Sequence, residues 1–200
     1  MLWSPVKNKR AAIGLRGLPV IAVDLGFSGK KASCGVAFSA FSERPRGSGM
    51  QFYRAADRVG QFITEHKASV LILEAPLSAS FTSSGNPQPR GEFEHEDQAR
   101  WWSMSPGAAM ALAALFFLRR INHAQANRKH KTHVIEGFLS YNDLRGDSAV
   151  AAALRDAFLA PETASWHTVR ATGEILSALD LIAPSRRHAT PPVILRPINI

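Results

Sequence analysis

Asp24 closes the apolar run Val20-Ile21-Ala22-Val23 and is followed at once by Leu25-Gly26-Phe27-Ser28-Gly29. A buried strand can carry a carboxylate at its tip, beside a turn where glycines let backbone approach a ligand. An unpaired carboxylate there is costly, so the position asks for a metal, a phosphate-bound cation or a basic partner. Glu74 repeats the arrangement at the end of Val70-Leu71-Ile72-Leu73, just before Ala75-Pro76. Two strand-tip acids in one small chain suggest a divalent-metal site. Hard cations such as Mg²⁺ or Mn²⁺ take carboxylate oxygens from rigid elements. A pair of them about 3.5–4 Å apart can activate water and stabilise a leaving oxygen in phosphodiester cleavage. Each acid also has a plainer use. Asp24 could cap a tight turn before Gly26, and Glu74 could pair with a buried arginine.

Strands and helices must hold these acids. The apolar patterning predicts strands over about Leu18 to Asp24, Ala32 to Phe41 and Met50 to Tyr53, with a Pro/Gly/Ser-rich turn from Ser42 to Gly49. A helix follows over about Arg54 to His66, with Ala55, Ala56, Val59, Phe62 and Ile63 on one face. Val70 to Glu74 reads as a central parallel strand, apolar on both faces. The segment Leu77 to Ser103 is long, polar and rich in Ser, Pro and Gly, and loops of that length are functional or disordered. Beyond it come a helix over about Ser105 to Ile121, a strand over about Thr132 to Phe138, and helices over Ser148 to Leu159 and His167 to Ile182. The order β-β-β-α-β-α-β-α-α predicts an α/β fold with a mixed sheet and helices on its faces, in one domain over 1–200. Residues 1–16 read as a basic arm and 184–200 as a Pro-rich tail that could dock on the body or on a partner.

The chain has 24 Lys+Arg against 16 Asp+Glu, a formal charge of +8, which favours a polyanionic partner such as nucleic acid over plain solubility. Its one cysteine, Cys34, permits no internal disulfide, fits a reducing compartment and reads as a small core residue. The apolar stretch Gly107 to Leu118 is too short to span a bilayer, so the expectation is a cytoplasmic protein without a membrane partner. Homodimerisation is left open.

Val-Asp-Leu-Gly at Asp24, Leu-Glu-Ala-Pro at Glu74 and Gly-Asp-Ser-Ala-Val-Ala-Ala-Ala-Leu at Asp147 together resemble the ribonuclease-H-like superfamily. The nearest flavours are bacterial Holliday-junction resolvases and a related family of uncharacterised predicted nucleases. The resemblance covers about residues 18–160. It implies a mixed five-stranded sheet, three antiparallel strands then two parallel, flanked by helices. It also implies that Asp24, Glu74 and Asp147 converge on two divalent metals. Glu136, in His133-Val134-Ile135-Glu136-Gly137, matches an acid that the uncharacterised family carries after its fifth strand. Resolvases carry a second acid or a His beside the helical Asp. Here Arg145-Gly146 precede Asp147, and Ala149 and Val150 follow, which leaves Asp143 and Glu136 as fourth ligands. Read plainly, Asp147 is a helix N-cap and Glu136 an exposed strand residue.

A metal-dependent nuclease acting on DNA or RNA is the leading expectation, with Lys30, Lys31, Arg119 and Arg120 on phosphates. The alternative is a non-catalytic module of the same fold that binds nucleic acid or protein. Phosphoryl transfer on the related sugar-kinase fold is a distant third, because a second Asp-x-Gly motif is missing. The acidic run Glu92-Phe93-Glu94-His95-Glu96-Asp97 could gate the site or be a solvated loop, and Trp101 and Trp102 could stack on bases or anchor that loop. His123, His130 and His133 lack a zinc spacing.

Overall fold

The computed structural model describes residues 2–26, 32–39, 48–94, 106–124, 130–139, 146–182 and 191–198. Lys30, Lys31, Asp143, His95, Glu96, Asp97, Trp101 and Trp102 lie outside the described residues. The strands are β1 (Leu2–Pro5), β2 (Val20–Asp24), β3 (Cys34–Phe38), β4 (Ser48–Met50), β5 (Ala68–Glu74), β6 (Ser78–Phe81), β7 (Pro87–Gln88), β8 (Lys131–Gly137), β9 (Ala164–His167), β10 (Ile175–Ser177) and β11 (Ile194–Pro197). The helices are α1 (Lys9–Ile13), α2 (Phe52–Glu65), α3 (Pro106–Ala124), α4 (Asp147–Leu159) and α5 (Ala178–Ile182).

The expected meander and crossovers are present. β4, β3 and β2 pair antiparallel, and β2, β5 and β8 pair parallel, in the lateral order β4-β3-β2-β5-β8. Val70 to Leu73 are fully buried, because β5 lies between parallel neighbours with a layer on each face. Ile21, Val23, Leu71 and Leu73 pack under α2 and α3, while Val20, Ala22, Val70 and Ile72 pack under α4. The alternation of side chains along each strand separates these two cores.

Among the described residues the sheet has eight strands rather than five. Residues 2–16 are not a loose arm. β1 pairs parallel with the first half of β8, and Asn8 caps α1 by accepting from the Ala11 N–H at 2.9 Å. The C-terminal segment does dock on the body. β11 pairs with the end of β8 at Glu136 and Gly137, and antiparallel with β9. β1 and β11 therefore share one edge of β8 end to end, joined through Val6, whose N–H donates to Val134 O and whose carbonyl accepts from Val193 N–H. Val193, Ile194 and Leu195 are buried there, so apolar content decides the docking.

Two further expectations are corrected. The helix expected over His167 to Ile182 is instead the end of β9, then β10, then the short α5. Ile175, Leu176, Leu179 and Ile182 have helical spacing, but Gly173 packs against the Thr82 carbonyl, too close for a side chain, and β10 continues by pairing with β6. The segment 77–94 is ordered by that same pairing. β10, β6 and β7 make a second, three-stranded sheet.

Candidate functional site

Asp24 and Glu74 are register partners at the ends of adjacent parallel strands, so their side chains leave the same face of the sheet. Across the strands the row reads Gly35, Asp24, Glu74, Gly137. This is the face under α4. The two glycines let that helix descend onto the sheet on either side of the acids. A Cβ on Gly35 would overlap the Asp147 carbonyl, and one on Gly137 would lie 2.8 Å from Leu154 Cδ1. The start of α4 is thus pressed onto β3 immediately beside Asp24.

Asp147 is the first helical residue, not the cap. Gly146 occupies the cap position with φ 102, a left-handed conformation that suits glycine, and supplies no side-chain bond. That turn starts α4 over Gly35 and leaves the Asp147 carboxylate free of a capping role. Negative charge in a helix's first turn is also favoured by the dipole.

The electrostatics are those of crowded acids. Burial first, and then the Asp147 charge, raise the Asp24 carboxyl to about 7, against an opposing hydrogen bond from Glu74. Glu74 is raised well above the ordinary carboxylate range, by burial first and then by the Asp24 charge. The Leu139 backbone N–H donates to it. The hydrogen bond between the two carboxyls lowers Asp24 and raises Glu74, so it runs from Glu74 to Asp24, as expected for two adjacent acids that ionise as a pair. Asp147 is raised as well, by burial, with its own backbone N–H opposing. Among the described residues no Lys, Arg or His forms an ion pair with any of the three. Nor do three or more His, Cys, Asp or Glu among them stand ready to hold a metal ion. Two carboxyls are in contact and a third lies within range of their field.

Cys34 is buried beside this row. Its thiol donates to the Gly26 carbonyl at 3.1 Å, and burial pushes it up to about 11. It packs in the core under α2 and α3, on the face away from the acids, which leaves an oxygen-only donor set. Such a set fits Mg²⁺ or Mn²⁺ and not a thiophilic ion.

Glu136 does not join the cluster. It pairs in register with Leu73, so it leaves the opposite face. It is buried, bound to the Arg90 guanidinium, and accepts from the Leu77 N–H at 2.9 Å. Arg90 also holds Glu94 through Nη2 at 2.6 Å and Nε at 2.8 Å. Glu94 is thus a buried partner and not part of a solvated acidic loop, and Glu136 is not an exposed strand residue. The i,i+4 spacing of Arg90 and Glu94 was the available signal, inside a segment whose polarity suggested a loop. Gly35 and Gly137 carried a signal too, because glycine inside an apolar strand marks a close backbone approach.

Arg119 and Arg120 lie on α3, across the sheet from the carboxylates. Arg120 pairs with Asp57 at 3.0 Å and lies over the Tyr53 ring, while Arg119 meets His123 at 3.4 Å. They do not face the same site as Asp24. Among the described residues no helix is long and apolar enough to cross a membrane. Compared with family models, with curated proteins and with solved structures, the chain matches none.

Proposed function

We propose that this chain is a divalent-metal-dependent nuclease of the ribonuclease-H-like kind, which hydrolyses phosphodiester bonds in DNA or RNA. The observation that carries the reading is the register pairing of Asp24 with Glu74 beneath the start of α4, which brings Asp147 to the same end of the sheet. Three antiparallel strands followed by two parallel ones is also the arrangement that the sequence resemblance implies.

Asp24, Glu74 and Asp147 would hold Mg²⁺ or Mn²⁺. Such ions, when bound, supply an activated water and neutralise charge on the leaving oxygen. The chain's own part is to hold the carboxylates still. Parallel pairing fixes the two strand tips, the Leu139 N–H orients Glu74, and Gly35 admits α4. Because both carboxyls are raised, binding such an ion would displace protons from them. Lys30 and Lys31, in the segment directly after Asp24, would meet substrate phosphates.

The test is cleavage of labelled single-stranded, duplex and branched DNA and RNA with Mg²⁺, Mn²⁺ or a chelator. Cleavage should need the ion and vanish in Asp24→Asn while the fold is retained. Persistence in that variant, or in chelator, overturns the assignment. The commitment of Glu136 to Arg90 favours one second reading, a binding module without catalysis. Mn²⁺ calorimetry separates the two, since the module should show no carboxylate-dependent metal binding.

A further inference from the structure

Leu112, Phe116, Arg119 and His123 are spaced four, three and four residues apart along α3, which puts them on one face. The stripe is apolar in its first half and basic in its second. Leu112 is 67 % exposed and Phe116 48 %. Tyr53 of α2, 55 % exposed, meets the Phe116 ring edge-on, with centroids 6.3 Å apart. Leu181 of α5 is 73 % exposed. With Leu115 and Arg119 it helps line a groove of about 500 Å³ running between α3 and α5. Apolar side chains gathered in one exposed place mark a contact surface more often than chance scatter does. The groove belongs to the helical layer opposite Asp24 and Glu74, so the carboxylate site does not explain it.

We propose that this groove seats an acidic amphipathic helix of another protein. Its Leu or Phe side chains would enter beside Phe116 and Leu181, and its carboxylates would meet Arg119 and Arg120. The charge pattern selects this occupant. Arg119 has no acidic partner among the described residues, and the Arg120–Asp57 pair is exposed and therefore weak. A second copy of a chain with net charge +8 would bring the same cations against each other. A nucleic-acid strand would press phosphates against Leu112 and Leu181, which cannot satisfy them. A helix with spaced apolar anchors and acidic flanks satisfies both halves of the stripe.

The probe is a fluorescein-labelled synthetic helix with Leu and Phe on one face and Glu on the other, titrated with the full chain by anisotropy. One control replaces Glu by Lys, and another scrambles the apolar order. The acidic helix should bind saturably, about tenfold or more tighter than either control, and should weaken with salt. Phe116→Glu and Leu181→Glu should each weaken it about tenfold or more with thermal unfolding unchanged. Should Phe116→Glu unfold the chain, the more exposed Leu181→Glu carries the test. Three results overturn the proposal: equal or absent binding of the acidic helix, binding that survives Leu181→Glu, and competition by DNA. So does a dimer, seen by sedimentation, that Leu181→Glu dissociates, because the occupant is then a second copy.

Discussion

At the scale of single residues, the Asp24–Glu74 pair carries a measurable cost. Both carboxyls hold protons more tightly in the folded chain than in the unfolded one. For Asp24 the rise is from 3.8 to about 7. The folded state carries extra protons in that window, so stability without metal falls as pH rises from about 4 to about 7, and the raised Glu74 carries the fall further. Asp24→Asn should flatten that slope and stabilise the chelated protein at pH 8 by on the order of 2 kcal/mol. Urea unfolding in chelator at acid and alkaline pH measures it. Lost cleavage together with gained stability would separate a chemical defect from a folding one. If the site takes a divalent ion, added Mn²⁺ should stabilise the wild-type protein more at pH 8 than at pH 5, because binding would displace protons. The flanking glycines give a paired test. A Cβ at Gly35 meets the Asp147 backbone, which cannot step aside, whereas one at Gly137 meets the flexible end of Leu154. Gly35→Ala should cost about 3 kcal/mol and Gly137→Ala about 1 kcal/mol in denaturant unfolding.

At the scale of elements, the ion cluster of Arg90, Glu94 and Glu136 clamps the second sheet to β8. Arg90 Nη1 also donates to the Ser78 hydroxyl at 3.2 Å, so β6 and the 90–94 turn are tied to one guanidinium. Phe93 seals the same contact against Phe138, with ring centroids 5.5 Å apart. Arg90→Met would leave two buried carboxylates with no counter-charge, at a cost of about 3–5 kcal/mol. Adding Glu94→Gln and Glu136→Gln should return most of that loss in the same unfolding experiment. No recovery in the triple variant would mean that the guanidinium's shape, not its charge, holds the clamp.

At the scale of the whole molecule, the basic excess and the carboxylate row act at different ranges. The row is local and negative, whereas the +8 charge attracts a polyanion from a distance. If DNA or RNA is the substrate, binding should weaken about a hundredfold between about 50 and 200 mM salt, as neutralising about four phosphates requires. Filter binding with Asp24→Asn protein measures this without cleavage. The two faces should also be separable, since Leu181→Glu sits opposite the acids and should leave that salt dependence unchanged.

Local pattern was enough to find β2, β5, β8, α2, α3 and α4, and to mark Asp24 and Glu74 as acids at strand tips. It sufficed because each run buries a continuous apolar face whose period survives any arrangement of its neighbours. It could not place β1, β10 or β11. Those are short, and what makes them strands is a distant edge with unpaired N–H and C=O groups. For the same reason Glu136 and Glu94 could not be read as partners of Arg90, because their pairing depends on which face of β8 the 77–94 segment covers. Residue types and spacing alone determined that this chain carries strand-tip carboxylates in a basic α/β setting. Only the tertiary structure decided that Asp24 and Glu74 share one row and a hydrogen bond, that Asp147 is set down beside them, and that Glu136 faces away. A one-residue difference in register puts a side chain on the other face of a sheet, and register is a property of the assembled strands.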